Sequence, residues 1–204
     1  MKSDYTNPIV TITGTLEGFN FKLDLENDPT FNSADKIGEI LLWGNLRFGN
    51  SKNSTVGVFQ NCLNLNLNKV SDIINLENLE SKSMEGFFDG CLSLENIYNV
   101  NLWDVSNITN MNSMFNNCPN LNIDISSWNV SNVSNFTNFM GGETLKKFNT
   151  TNYDNLLNSW YKLPYLQESV IIDFINIYRT VASSYAYEVL AGVYGWTIND
   201  GGII

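Results

Sequence analysis

Residues 103–121, WDVSNITNMNSMFNNCPNL, are followed by residues 128–145, WNVSNVSNFTNFMGGETL, which repeat the same order of residue types. In both copies a tryptophan precedes valine, serine and asparagine, then an aliphatic residue, a second asparagine and methionine or phenylalanine. The two tryptophans, Trp103 and Trp128, stand 25 residues apart. Internal repetition at a period of about 20–30 residues is typical of solenoids, in which each unit buries its apolar face against its neighbours. This stretch therefore predicts a repeat architecture, and by itself it names no ligand.

The repeats share an apolar stripe at positions i, i+3, i+4 and i+7, the spacing that places four side chains on one face of a helix. The stripe is complete in the second and third units, whereas Thr55 leads the first and Glu143 stands at i+7 of the fourth. Counted between leading positions, successive units are 29, 27 and 25 residues long. A leucine follows ten residues after the start of each of the first three stripes, and an alternating segment such as LNIDISSWNV then reads as extended chain. The stripes are Thr55, Val58, Phe59 and Cys62; Met84, Phe87, Phe88 and Cys91; Met111, Met114, Phe115 and Cys118; and Phe136, Phe139 and Met140. One short helix plus one extended segment per unit predicts an α/β, leucine-rich-repeat-like solenoid.

We predict three parts in the chain. Residues 1–35 alternate apolar and polar side chains around a turn, so they are expected to form a β-hairpin that caps the solenoid or docks on another subunit. Residues 36–150 hold the repeats. Residues 151–204 are expected to form an α+β C-terminal cap, with a buried strand within 168–174 and a helix within 181–193.

The repeat consensus, M-x-x-M-F-x-x-C-x-x-L followed by W-x-V-S-N-V-x-N-M, resembles the BspA-type leucine-rich repeat family. Residues 111–121 and 128–136 carry the resemblance most closely, and it covers roughly residues 55–202. The tail resembles the segment that often closes such arrays, through Tyr153, Leu156, Leu157, Trp160, Gly195, Trp196, Ile198, Asp200 and Gly201. This resemblance implies a scaffold for adhesion and recognition on bacterial and protist surfaces and in viruses that infect microbes.

Members of that family usually carry a secretion signal, whereas the first residues here, MKSDYTNPIV, lack the apolar core of one. We therefore expect a virion component made in the host cytoplasm. A bacterial cell-surface or secreted protein is the alternative location.

Composition excludes several classes of function. The net charge is −10 and the 11 basic residues are scattered, whereas nucleic-acid binding needs clustered Lys and Arg. No apolar run reaches membrane-spanning length, so membrane insertion is not expected. The absence of histidine removes the commonest general base and the commonest zinc ligand. We predict no enzyme activity, no cofactor and no metal site.

The conspicuous side chains are assigned to the core and not to chemistry. Three cysteines recur at matched positions without a histidine or a CxxC motif, which favours buried apolar packing over a metal site. Trp103 and Trp128 could stack on sugar rings, but their repeated placement favours a structural ladder. The predicted repeat core comprises Phe59, Cys62, Met84, Phe88, Cys91, Trp103, Met111, Met114, Phe115, Cys118, Trp128 and Phe136.

The predicted binding residues are the polar side chains between the tryptophans and valines, namely Asp104, Ser106, Asn129 and Ser131, because alternation points them away from the core. The predicted function is a non-enzymatic binding or adhesion module, as a surface or fibre component of a bacterial virus. Its expected partners are a host surface protein or glycan and other virion proteins, and a homo-oligomer is left open. The alternatives are a bacterial surface adhesin, a glycan-degrading enzyme on a solenoid, and a purely structural particle subunit.

Overall fold

Among the residues that the structure describes, the α-helices and β-strands lie toward the C-terminus. The computed structural model describes residues 37–44, 56–76, 79, 81–142 and 147–204. Within these ranges the elements are a 3-10 turn at Val100–Leu102, helix α1 at Thr150–Trp160, strand β1 at Ile171–Phe174, a 3-10 turn at Val181–Ser183, helix α2 at Ser184–Gly192 and strand β2 at Thr197–Asp200. No helix in the described ranges is long and apolar enough to cross a membrane.

The predicted α/β leucine-rich-repeat-like solenoid is wrong. In the part of the chain that the structure describes there are two α-helices and one two-stranded parallel sheet, and all of them follow Asn149. Within the described residues, the repeats contain neither the predicted short helix nor a strand from the extended segment. Their stripes form consecutive turns, with isolated bridges between units. The predicted N-terminal cap, residues 1–35, lies outside the described residues.

The turns replace the helix because alternate backbone amides of a repeat donate to the next repeat, while others donate within the repeat to carbonyls three residues earlier and not to i−4 carbonyls. The amides of Met111, Ser113 and Phe115 donate to the carbonyls of Asn135, Thr137 and Phe139 at 2.8, 2.9 and 2.9 Å. The amides of Gly57, Phe59 and Asn61 donate in the same way to Glu85, Phe87 and Asp89 at 2.8, 2.8 and 2.7 Å. Every second amide is thus committed to a neighbour, and this pattern is incompatible with an α-helix.

Left-handed backbone conformations recur at four-residue intervals through these turns. The pairs are Gly57 and Asn61, Gly86 and Gly90, Ser113 and Asn117, and Asn138 and Gly142. Glycine and asparagine adopt positive φ at low cost, so the asparagine-rich sequence suits this backbone. At Gly90, with φ of 75°, a Cβ atom would lie 2.4 Å from Asn61 Oδ1, so a side chain there would also collide with the preceding repeat.

The core runs without interruption under the repeats and the C-terminal elements. Each of the twelve predicted core residues is at most 3 % exposed. Aromatic rings continue from one repeat to the next: Phe88 stacks on Phe59 and on Phe115 with centroids 5.4 and 5.6 Å apart. Trp103 and Trp128 stack with centroids 6.2 Å apart and planes 16° from parallel. Such pairs contribute roughly 0.5–1.5 kcal/mol each beyond their buried area.

Helix α1 forms because its amides are satisfied internally and its first turn is capped. The Asn149 side chain accepts a hydrogen bond from the Asn152 amide at 2.7 Å, and the Tyr153 amide donates to the Asn149 carbonyl at 3.2 Å. The helix buries Tyr153, Asp154, Leu156, Leu157 and Trp160. Trp160 Nε1 donates to the Ile125 carbonyl at 3.3 Å, much as Trp128 Nε1 donates to the Val100 carbonyl at 2.8 Å.

The two strands pair in parallel and continue the backbone hydrogen bonding of the last repeat. Ile171 of β1 aligns with Thr197 of β2, and Phe136 of the last repeat forms a bridge with Ile172. The Met140 amide donates to the Asp173 carbonyl at 2.9 Å. The strand predicted within residues 168–174 and the helix predicted within 181–193 are therefore present, as β1 and α2.

A buried ionic cluster fixes the C-terminal elements to α1. Arg179 forms an ion pair with Asp200, and their side chains are 10 % and 6 % exposed. Tyr153 of α1 donates its hydroxyl to Asp200 at 3.0 Å. The Arg179 guanidinium lies 3.7 Å from the centroid of the Tyr187 ring. Burial, together with the Asp200 carboxylate, raises the pKa of Tyr153 well above its usual range, so this hydroxyl remains a donor.

Candidate binding face

The four predicted binding residues lie on two neighbouring segments that are anchored by their apolar residues. In each segment the tryptophan and the next aliphatic residues are buried, and the intervening polar side chains point outward. Asp104 and Asn129 are exposed, while Ser106 and Ser131 are half-buried. We call these four residues the polar face.

Each segment is shaped by a side chain that accepts an amide hydrogen bond two residues ahead. Asp104 Oδ1 accepts the Ser106 amide at 3.0 Å, and Asn129 Oδ1 accepts the Ser131 amide at 3.2 Å. These contacts are the local turns that Asp and Asn favour. Hydrogen bonds from the Ser106 side chain and backbone lower the pKa of Asp104, so its carboxylate is ionised at neutral pH.

Hydrogen bonds between the segments bring the polar face together. The Asn132 side-chain amide donates to the Ser106 carbonyl at 2.7 Å, which joins the second segment to the first. Ser131 Oγ donates to the Pro164 carbonyl at 2.9 Å, and Gln167 Nε2 donates to the Ser131 carbonyl at 3.0 Å. Ser131 therefore anchors the loop that follows α1, whereas Asp104 and Asn129 face the solvent.

Tyr165 lies in the loop that Ser131 anchors, and it was not among the binding residues predicted from the sequence. Its side chain is 89 % exposed, the largest exposed fraction among the exposed large apolar residues of the described ranges, and its φ is 60°. The sequence signal is weak: Pro164 beyond the helix predicts a loop, but it predicts neither the exposure nor the backbone conformation of the next residue.

The three cysteine thiols have the features of unreactive core residues. All three are buried thiols, and Cys91 and Cys118 donate through Sγ to the carbonyls of Phe59 and Phe88, each at 3.1 Å. Burial raises the pKa of Cys62 to about 12 and raises that of Cys91 further, so both remain protonated at neutral pH. Among the described residues, no group of three or more His, Cys, Asp and Glu side chains is placed to hold a metal ion.

Comparison with known sequences identifies a family. A family profile described as "Mycoplasma protein of unknown function, DUF285" matches residues 53–166. No curated protein and no solved structure matches the chain. The family is weakly linked to BspA-like repeat proteins, so the resemblance seen in the repeats is supported at that coarse level. Because the match covers more than half of the chain and includes both tryptophan segments, the protein belongs to the DUF285 family of Mycoplasma proteins of unknown function.

Proposed function

We propose that the protein is a non-enzymatic binding module that recognises its partner through the polar face. One observation carries this proposal: two neighbouring repeats present Asp104 and Asn129 to solvent at matched positions, while their tryptophans are buried. A carboxylate and an amide together accept and donate hydrogen bonds, as recognition of a polar surface requires.

Rigidity of the face supports this role. Asp104 and Asn129 each hold a backbone amide, and the Asn132–Ser106 contact fixes one segment against the other. Groups that are ordered before binding lose little conformational entropy when a partner arrives. Weak contacts at such a face gain strength when several copies of the protein act together on one surface.

We propose that the protein acts at a bacterial cell surface; the family description names Mycoplasma proteins, which supports a bacterial setting and states no location. A virion surface is the alternative placement. The partner in either setting is a surface protein or a glycan.

The test uses purified protein displayed on beads against immobilised glycans and extracellular-matrix proteins. The double variant Asp104→Ala, Asn129→Ala is expected to bind about tenfold more weakly, as is usual when central polar contacts are removed. Asp124→Ala is the matched control, because Asp124 is exposed and accepts the Ser126 amide at 3.0 Å in the same kind of turn.

Equal binding by the double variant and the original protein would contradict the polar face. Release of glycan fragments during the same incubation would contradict the non-enzymatic role and favour a glycan-degrading enzyme. Thermal unfolding of both variants checks that any loss of binding does not come from loss of the fold.

A further inference from the structure

Tyr165 combines high exposure with an unfavourable backbone conformation. Single exposed apolar side chains are common and need no explanation. A bulky residue with φ of 60° is uncommon, because the left-handed region brings its Cβ close to the following carbonyl. Eight other non-glycine residues in the described ranges also have positive φ, so this conformation alone marks no site; Tyr165 differs because its side chain is 89 % exposed as well.

The loop around Tyr165 is held firmly on both sides. Before it, the Pro164 carbonyl accepts the Ser131 hydroxyl. After it, Leu166 is only 5 % exposed, and Gln167 donates to the Ser131 carbonyl while its own carbonyl accepts Trp196 Nε1 at 2.7 Å. The ring thus projects from a fixed backbone, and this arrangement resembles the rigid tyrosine anchors of binding surfaces.

The loop that carries Tyr165 is joined to the polar face by hydrogen bonds. Hydrogen bonds connect the Asp104 segment to the Asn129 segment and the Asn129 segment to the Tyr165 loop, so the three follow one another across one surface. An aromatic face can cover the apolar C–H surface of a sugar ring, while neighbouring carboxylate and amide groups bind its hydroxyls.

We propose that Tyr165 is the stacking platform of a carbohydrate-binding site whose polar contacts are made by Asp104 and Asn129. The inference rests on the proposed binding function and specifies its ligand class. The sugar is neutral or carries an amino group, because an ionised Asp104 on a chain of net charge −10 repels sialylated and sulfated glycans.

The experiment screens the full chain on an array of neutral, N-acetylated, amino, sialylated and sulfated oligosaccharides, followed by calorimetric titration with the best soluble binder. Tyr165→Ala is expected to weaken binding at least about tenfold, whereas Tyr165→Phe, which keeps the ring, stays within about threefold. Tyr98→Ala is the matched control, because Tyr98 is also an exposed tyrosine, at 50 %, and belongs to the segment that pairs with Leu67. Since Tyr165 and Tyr98 are both exposed, all three variants should keep the original melting temperature.

Unchanged affinity in Tyr165→Ala would overturn the platform, and preferred binding of sialylated or sulfated glycans would overturn the sugar class. Failure to bind any glycan, with protein binding that still depends on Asp104 and Asn129, would overturn this inference and leave the proposed function intact. Loss of glycan binding in Tyr165→Ala but not in the Asp104, Asn129 double variant would support the platform and contradict the polar face.

Discussion

Two regions of this protein carry the same apolar spacing and fold differently. The stripe at i, i+3, i+4 and i+7 occurs in the third repeat and again in α1, and all eight side chains are at most 3 % exposed. The eight are Met111, Met114, Phe115 and Cys118 in the repeat and Tyr153, Leu156, Leu157 and Trp160 in the helix. The repeat makes consecutive turns with positive φ at Ser113 and Asn117, whereas residues 150–160 form a continuous α-helix.

The two regions differ in the carbonyl groups that accept hydrogen bonds from their backbone amides. In α1 the Tyr153 amide reaches the carbonyl four residues earlier, and Asn149 caps the first turn. In the repeat the Phe115 amide finds the carbonyl of Phe139, which a neighbouring copy of the same sequence holds in register at 2.9 Å. The apolar period thus determines which side chains are buried, and the presence of a matching neighbour determines the backbone that buries them.

The largest expected effect tests whether the repeat stripe carries core stability as the helix stripe does. Phe115→Ala should lower the free energy of unfolding by about 3–5 kcal/mol, because it removes a ring that stacks on Phe88 and contacts Trp128 and Phe139. Denaturant unfolding monitored by tryptophan fluorescence measures the change. Asn112→Ala, in the same turn but outside the stripe, should have little effect, and equal losses in the two variants would show that the stripe is not the core.

Two glycine substitutions, one in the repeats and one in α2, are expected to change the stability of the protein by smaller amounts and in opposite directions. Gly90→Ala in the repeats should destabilise the protein by about 1–3 kcal/mol, chiefly because φ is 75°, and the new Cβ would also press against the end of the Asn61 side chain. Gly192→Ala at the end of α2 should be neutral or stabilise by about 0.4–1 kcal/mol, because nothing lies within 4 Å of its Cβ. Melting temperatures of the two variants, compared with the original protein, give both signs. A stabilising Gly90→Ala would contradict the turn geometry assigned to the repeats.

The sequence predicted which side chains of the repeats are buried, and it predicted the C-terminal helix and strand. It did not predict the backbone conformation of the repeats. A helix within residues 181–193 and a strand within residues 168–174 follow from local spacing, since their hydrogen bonds are local or join one regular strand pair. The repeat turns depend on carbonyls 24 to 28 residues away, such as Phe139 for Phe115 and Phe87 for Phe59, and no local window contains that information.

In the candidate site too, features set by local spacing could be predicted, whereas features set by distant residues could not. Asp104 and Asn129 could be placed on the outside from alternation alone, and their exposure agrees with that placement. The coverage of Ser131 by Pro164 and the display of Tyr165 arise from a loop more than 30 residues further along the chain.

The smallest expected effect is a pH dependence of stability, and it arises from the side chains that accept hydrogen bonds in the α1 cap and in the Asp104 turn. The α1 cap is a neutral amide, Asn149, whereas the Asp104 turn is held by a carboxylate whose pKa is lowered. A group whose pKa is lower in the folded protein stabilises the fold above its ordinary value of 3.8, and this contribution is lost as pH falls through the folded pKa.

Acidification from pH 7 to below 3.8 should therefore lower the melting temperature of the original protein more than that of Asp104→Asn, by about 1 °C, the scale of an exposed charged contact. Asn129→Ala serves as the control, because Asn129 makes the equivalent contact without a charge and its loss should be independent of pH. Parallel melting curves for the original protein and Asp104→Asn across this range would show that the carboxylate acts in the turn only as a hydrogen-bond acceptor. In that case an asparagine would stabilise the turn equally well in both copies of the motif. The charge of Asp104 would then contribute to binding and not to stability.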